Sequence, residues 1–310
     1  MIIITLVTFM RNKKIYMAGC GGMLGEAFYK VFFDDYNLRC SDISPNETWL
    51  TRLDFRNINE YFEDVNNFKP NYLFHVGAHT DLEYCETHIE DAYATNTESV
   101  KNAVYISNKL NIPLIFISTA GIFDGEKEFY DEYDLPKPIC HYAKSKYEAE
   151  LFVKNNSKKY LICRAGWMMG GGPKKDKKFI QKIIAQIKSN QKELFIVNDK
   201  TGTPTYTHDF ANNLKLLIKK EVFGLFNMVC SGSVKRSEVA KELLKILKVE
   251  NKVKIIEVNS DFWKKDYFAP RPESECLINK KLDSLSMNIM RDWKVCLKEY
   301  IVNYYHDYLI

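Results

Sequence analysis

Between residues 18 and 25 the chain reads Ala-Gly-Cys-Gly-Gly-Met-Leu-Gly, so four of its 14 glycines fall within seven residues. The run follows an apolar stretch at 15–18 and opens a helix-like segment at 23–33. Gly19, Gly22 and Gly25 give the spacing G-x-x-G-x-x-G. A strand that turns sharply into a helix, with backbone N–H groups left open at the helix start, forms a cradle for the pyrophosphate of a dinucleotide. Side chains at those positions would obstruct the turn, the close approach or the packing of helix on strand. Such a loop demands a strand before it, a helix after it, and a parallel partner strand beyond.

The first half supplies these parts. Apolar runs at 15–18, 38–40, 72–76, 114–118 and 160–163 alternate with helix-like segments at 23–33, 58–68, 95–110 and 143–155. Short strands alternating with helices predict βαβ units and an α/β, Rossmann-type doubly wound parallel sheet. Pro113, just after Asn111, ends one helix before the next strand. Past residue 165 the pattern changes at Gly170, Gly171, Gly172 and Pro173. Helices are expected at 174–190, 208–220, 235–247 and 291–308. The expected organisation is an N-terminal extension at 1–12, a dinucleotide-binding domain at 13–165, and a smaller C-terminal α/β substrate-binding lobe at 166–310 interleaved with the last sheet strands.

Composition excludes several classes. Forty-four basic against 40 acidic residues leave a net charge of only +4, too even for nucleic acid as the main partner. Eight cysteines form no C-x-x-C pair, which argues against a zinc ribbon and for a reducing, cytoplasmic setting. No stretch reaches the roughly 18 apolar residues that span a bilayer. The apolar start, residues 1–10, precedes Arg11, Lys13 and Lys14, the reverse of a secretory signal's order. It reads as a loosely docked extension or as the product of an upstream start, with Met10 an alternative first residue.

Asp42 ends the second strand, 23 residues after Gly19, where a carboxylate accepts from an adenosine ribose hydroxyl or caps the turn at Ser44-Pro45. The first role favours NAD; Arg39 offers a partner for a 2′-phosphate and favours NADP, so both stay open.

Carbonyl reduction needs a proton donor at the developing alkoxide. A tyrosine four residues before a lysine on one helix supplies a phenol and an ammonium to stabilise its phenolate. The spacing occurs at Tyr105/Lys109, Tyr133/Lys137 and Tyr142/Lys146. The first pair lies on a helix that feeds a strand, and the second spans Leu135-Pro136, where a regular helix fails. Tyr142 and Lys146 open a helix after the strand that ends at Ser118-Thr119. Thr119 stands at the carboxyl end of a parallel strand, the edge where ligands bind in such sheets.

Together these residues resemble the dTDP-4-dehydrorhamnose reductase family of extended short-chain dehydrogenases, from Lys14 to about Tyr300. The resemblance rests on the glycine loop, His75-Val76-Gly77-Ala78-His79-Thr80, Cys85-Glu86, Asn96, and Ser118 through Gly125. It continues through Tyr142 to Lys146, Arg164-Ala165-Gly166-Trp167, Gly202 to Tyr206, and Ala269-Pro270-Arg271-Pro272 with Leu277. It implies Thr119, Tyr142 and Lys146 as the catalytic trio, and Gly19, Gly22, Met23, Leu24, Gly25, Asp42, Asp54, Phe55, Ala78 and Thr80 along an NADP or NAD site. Tyr142 and Lys146 would also face the nicotinamide ribose, and Thr119, Trp167 and Arg271 would meet a nucleotide sugar. Arg271 suits a diphosphate, or an ion pair within its proline-bracketed loop. The implied reaction is reduction of a 4-keto-6-deoxy sugar nucleotide; the alternatives are a nucleotide-sugar epimerase or dehydratase, and a regulatory subunit like the methionine adenosyltransferase β subunit. The resemblance allows a homodimer and gives no metal ligands. One departure stands out: Ala120-Gly121 replaces the Asp-Tyr that commonly follows the threonine.

Three features have plainer readings. Lys174, Lys175, Lys177 and Lys178 edge a phosphate pocket or form a solvated helix start. His75 and His79 do not pinch a metal on a strand. Trp293, Tyr300, Tyr304, Tyr305 and Tyr308 pack on the core or on a second subunit.

Overall fold

A computed structural model describes residues 13–306. The extension at 1–12 and the last residues, including Tyr308, lie outside the described range. The elements that build the sheet and its two faces are β1 Lys14–Ala18, α1 Met23–Phe32, β2 Asn37–Asp42, β3 Leu50–Arg52, α2 Ile58–Phe68 and β4 Tyr72–His75. Short helices α3 Leu82–Thr87 and α4 Ile89–Tyr93 lead to α5 Ser99–Leu110, followed by β5 Leu114–Thr119, α6 His141–Asn156 and β6 Tyr160–Ala165. The second half adds β7 Trp167–Met169, α7 Gly172–Lys175, α8 Phe179–Lys188, β8 Glu193–Val197, β9 Thr201–Gly202, β10 Pro204–Tyr206, α9 Thr207–Lys219 and β11 Gly224–Asn227. It closes with β12 Val234–Lys235, α10 Arg236–Ile246, β13 Lys254–Val258, β14 Ser274–Glu275, α11 Lys280–Ser284 and α12 Trp293–Tyr305.

Seven parallel strands run in the order β11-β6-β5-β4-β1-β2-β3, doubly wound as the alternation predicts. The order reverses between β1 and β4, so the crevice beyond their carboxyl ends is the topological switch point. Side chains of β1 alternate between two cores: Ile15 and Met17 face α1 and α9, while Tyr16 and Ala18 face α2, α5 and α6. A sheet buried on both faces therefore reads as continuous apolar runs rather than as alternating ones. On the first face Phe28, Phe32 and Phe74 meet edge to face, with centroids 5.5 to 6.1 Å apart.

Two expectations are corrected. The helix expected at 95–110 begins with a π-helical turn, Ala94–Glu98, where the Thr97 hydroxyl donates to the Ser145 carbonyl and the Ser99 hydroxyl to the Thr95 carbonyl, bonds that compete with the regular ladder. The helix expected at 174–190 is two, because Lys178 takes an extended backbone while Asp176 caps its N–H at 2.7 Å. The C-terminal aromatics turn to the core: Trp293, Tyr300 and Tyr305 are buried. Among the described residues no helix is long and apolar enough to cross a membrane.

Candidate active site

The glycine loop sits at the switch point. Gly19 (φ 79°) lies against Gly77 after β4; a Cβ on Gly19 would come within 2.2 Å of the Gly77 Cα. A Cβ on Gly77 would strike the buried Phe55 ring at 2.4 Å. Gly77 belongs to a motif visible in the sequence, yet only the fold shows two glycines facing each other. A Cβ on Gly25 would meet the Cys20 carbonyl at 2.2 Å, so that glycine serves packing of helix on turn. Gly22 is exposed, has open space where a Cβ would stand, and starts α1 with no side-chain cap. The uncapped helix start at Met23 and Leu24 thus offers free N–H groups beside an open cradle, which fits a dinucleotide pyrophosphate.

Asp42 accepts the Gly21 N–H at 2.7 Å and the Ser44 N–H at 3.0 Å. Both readings of Asp42 are therefore compatible: it caps the turn, and it stands beside the loop where a ribose would lie. Arg39 is not at the loop. Its guanidinium forks onto Asp64 at 2.6 and 3.1 Å. Asp54 is likewise committed, to Arg56 at 2.7 Å, and that cation holds its carboxyl below the usual range. Ala78 is half-buried in the loop after β4, and Thr80 accepts from the Lys178 ammonium at 2.8 and 3.1 Å through its carbonyl and hydroxyl. The lysine run splits accordingly. Lys174 and Lys177 are exposed, while Lys178 reaches Thr80 and Lys175 reaches the Gly21 carbonyl at 3.2 Å and Glu47 at 3.2 Å.

Tyr142 and Lys146 lie on the first turns of α6, and Thr119 at the end of β5 beside them. The Thr119 hydroxyl accepts the Gly121 N–H at 3.1 Å and shares a hydrogen bond with Tyr142. Burial pushes the Tyr142 phenol well above its ordinary range; the Thr119 bond opposes this, and Glu275 is among the groups that add to it. Tyr142 is thus a neutral proton donor at physiological pH. Lys146 is buried, with its ammonium 4.3 Å over the Phe116 ring. Desolvation pulls it down to about 7, against a smaller opposing pull from Glu150. Among the described residues Lys146 has no hydrogen bond to the Tyr142 phenol; its ammonium faces the Phe116 ring.

The wall opposite comes from the second half. The Trp167 indole N–H donates to Glu275 at 2.6 Å, and the Arg236 guanidinium lies 3.6 Å from the Trp167 ring centroid. Arg271 is held by Glu83 at 2.8 Å and by its own Ala269 carbonyl at 2.9 Å, so the ion-pair reading is realised. Glu275 and Arg236 escape sequence reasoning, because neither belongs to a spaced motif. His75 is in the core between Tyr61 and Ser99, held neutral by burial with its pKa down to about 3, and His79 pairs with Asp91 at 2.7 Å.

Residues 13–306 match the family described as RmlD substrate binding domain. The chain is 27% identical to the dTDP-4-dehydrorhamnose reductase of Aggregatibacter actinomycetemcomitans, over 92% of this chain and 97% of that one. Its fold matches the crystal structure of the dTDP-4-dehydrorhamnose reductase of Yersinia enterocolitica with a TM-score of 0.84 and 31% identity, covering 94% of this chain and 100% of that one. It also matches the Bacillus anthracis dTDP-4-dehydrorhamnose reductase in complex with NADP, with a TM-score of 0.85, 25% identity, and coverage of 94% and 99%.

Proposed function

From the premise that the chain belongs to the RmlD substrate binding domain family, and so is an NAD(P)-dependent oxidoreductase acting on sugar nucleotides, we propose that it reduces the ketone of a 4-keto-6-deoxy sugar nucleotide to the alcohol. The observation that carries this reading is the junction of a protonated Tyr142 with Thr119 at the carboxyl end of β5, beside a glycine cradle fit for a dinucleotide. A bound nicotinamide cofactor supplies the hydride.

The protein's part is then as follows. Thr119 and Tyr142 donate hydrogen bonds to the ketone oxygen, and Tyr142 passes its proton to the alkoxide as charge develops there. Lys146, kept close to neutral pH by burial, supplies positive charge behind the phenol and holds the nicotinamide ribose. Gly19, Gly22, Met23 and Leu24 carry the pyrophosphate, and Asp42 accepts from the adenosine ribose. Residues 166–310 supply the sugar-side wall through Trp167 and, across the opening, Arg271. This assignment is tested by following NAD(P)H oxidation at 340 nm with a panel of 4-keto-6-deoxy sugar nucleotides. Tyr142→Phe is expected to lower turnover by about 10²- to 10⁴-fold, the range of a general acid, with cofactor binding unchanged. Cofactor binding without turnover on any member of the panel overturns the reductase reading.

A further inference from the structure

Gly121 leaves a gap beside the reacting position, and a carboxylate occupies it. A Cβ on Gly121 would lie 3.3 Å from Glu275 Oε1, 3.5 Å from the Thr119 hydroxyl and 3.9 Å from the Tyr142 ring. Glu275 therefore stands in the same small space as the two groups that meet the ketone oxygen. Its other oxygen is fixed by the Trp167 indole N–H at 2.6 Å. β14 delivers it there by pairing with β9, which sets Glu275 opposite Gly202, and Gly202 in turn lies against the Trp167 ring, where a Cβ would approach to 2.4 Å.

Across the same indole lies Arg236, at the start of α10. Its guanidinium rests on the Trp167 ring at 3.6 Å and near Phe179 at 5.0 Å. Among the described residues it makes no hydrogen bond and no ion pair, and burial pulls its pKa to about 10. Trp167 thus keeps an acceptor and a donor of opposite charge apart: the carboxylate at its edge, the guanidinium on its face. Two charged groups on one indole, each with polar atoms that no described residue engages, are a set that a polar ligand would complete. A sugar diphosphate carries the matching set, hydroxyl donors on the ring and anionic oxygens beyond.

We propose that Glu275 is the sugar-reading residue of this site, its open oxygen accepting a hydrogen bond from a ring hydroxyl beside the reacting carbon while Arg236, across Trp167, holds the anionic half of the ligand. The inference rests on the sugar-nucleotide reading above and deepens it. It also accounts for Gly121: a larger residue there would displace the carboxylate.

The test uses calorimetric binding of dTDP and of dTDP-rhamnose to the full chain saturated with NAD(P)⁺. In Glu275→Gln the amide oxygen takes over the Trp167 bond and the NH₂ turns toward the pocket, a donor where an acceptor is required. This variant is expected to bind dTDP-rhamnose about tenfold more weakly and dTDP unchanged. Arg236→Met is expected to weaken both ligands by the same factor, because both carry the diphosphate. If Glu275→Gln weakens the two ligands equally, or weakens neither, the proposal is overturned. If the wild type shows the split but turns over no 4-keto substrate, the reductase reading falls and Glu275 keeps its role.

Discussion

Lys146 is where the chemistry of a single residue is most exposed to measurement. Its ammonium is buried over Phe116, and desolvation lowers its pKa from the ordinary value for lysine to about 7. The charge is therefore present below pH 7 and lost as pH rises through 7 in the free protein. The profile of kcat/KM, which reports the free enzyme, is expected to fall above about pH 7 and not near 10. The same shift costs stability. The unfolded chain binds this proton more tightly than the folded one between pH 7 and the ordinary lysine pKa, so stability rises with pH across that window. Lys146→Met removes the penalty and is expected to raise stability at pH 7 by on the order of 3–5 kcal/mol while abolishing turnover; thermal unfolding across that pH window checks it, and a variant no more stable than wild type contradicts it. The sequence shows Tyr142 and Lys146 through spacing and context, because a helix converts four residues into one face. It does not show that burial outweighs the neighbouring charges, since burial depends on Phe116 and on everything packed behind it.

At the scale of elements, the site is held by an ion pair beneath it. Glu150 on α6 accepts from Arg164 on β6 at 2.5 and 3.0 Å and from the Ser118 hydroxyl on β5 at 2.6 Å, with both charged side chains 3% exposed. These bonds tie the helix bearing Tyr142 and Lys146 to the strand bearing Thr119. The pair is incomplete: Arg164 Nη1 is buried without a partner. Glu150→Ala leaves the guanidinium uncompensated and is expected to cost about 3–5 kcal/mol, read as a lower urea midpoint. The double replacement Glu150→Leu, Arg164→Met is expected to recover most of that loss, because the desolvation penalty goes with the charges. A double variant as unstable as the single one contradicts this account. Elements of this first half were legible because apolar runs and breakers mark them; Asn111 in the left-handed region (φ 54°) before Pro113 ends α5 where the sequence places the stop. The second half was less so. Strands such as β9, β12 and β14 span two residues each, too short for any period, and they are the ones that bring Gly202, Arg236 and Glu275 to Trp167.

Over the whole molecule, the last helix acts on the first loop. Tyr300 on α12 places its hydroxyl 2.9 Å from both the Gly170 carbonyl and Asp176 Oδ2, and Tyr304 lies where a Cβ on Gly172 would come within 2.5 Å. The left-handed turn at 170–172 is therefore moulded on the C-terminal helix. On its other side the turn abuts the glycine loop: a Cβ on Gly171 would reach the Met23 Cα at 3.1 Å, and Lys175 donates to the Gly21 carbonyl at 3.2 Å. No sequence spacing predicts this path, because it joins residues 21, 175 and 300 through tertiary hydrogen bonds and packing. Tyr300→Phe removes a partner from the buried Asp176, whose carboxyl burial already pushes upward, and is expected to cost about 1–3 kcal/mol of stability. Because the turn loosens, NAD(P) is expected to bind several-fold more weakly although Tyr300 stands far from the cradle. Lys175→Met breaks the same path at its other end and is expected to weaken the cofactor with a smaller effect on Tm. Two breaks in one path should not add: the double variant is expected to bind NAD(P) little worse than the weaker single one. Full additivity in fluorescence titrations of the cofactor would mean that the turn does not carry the coupling, and that Lys175 acts on the glycine loop independently of the C-terminal helix.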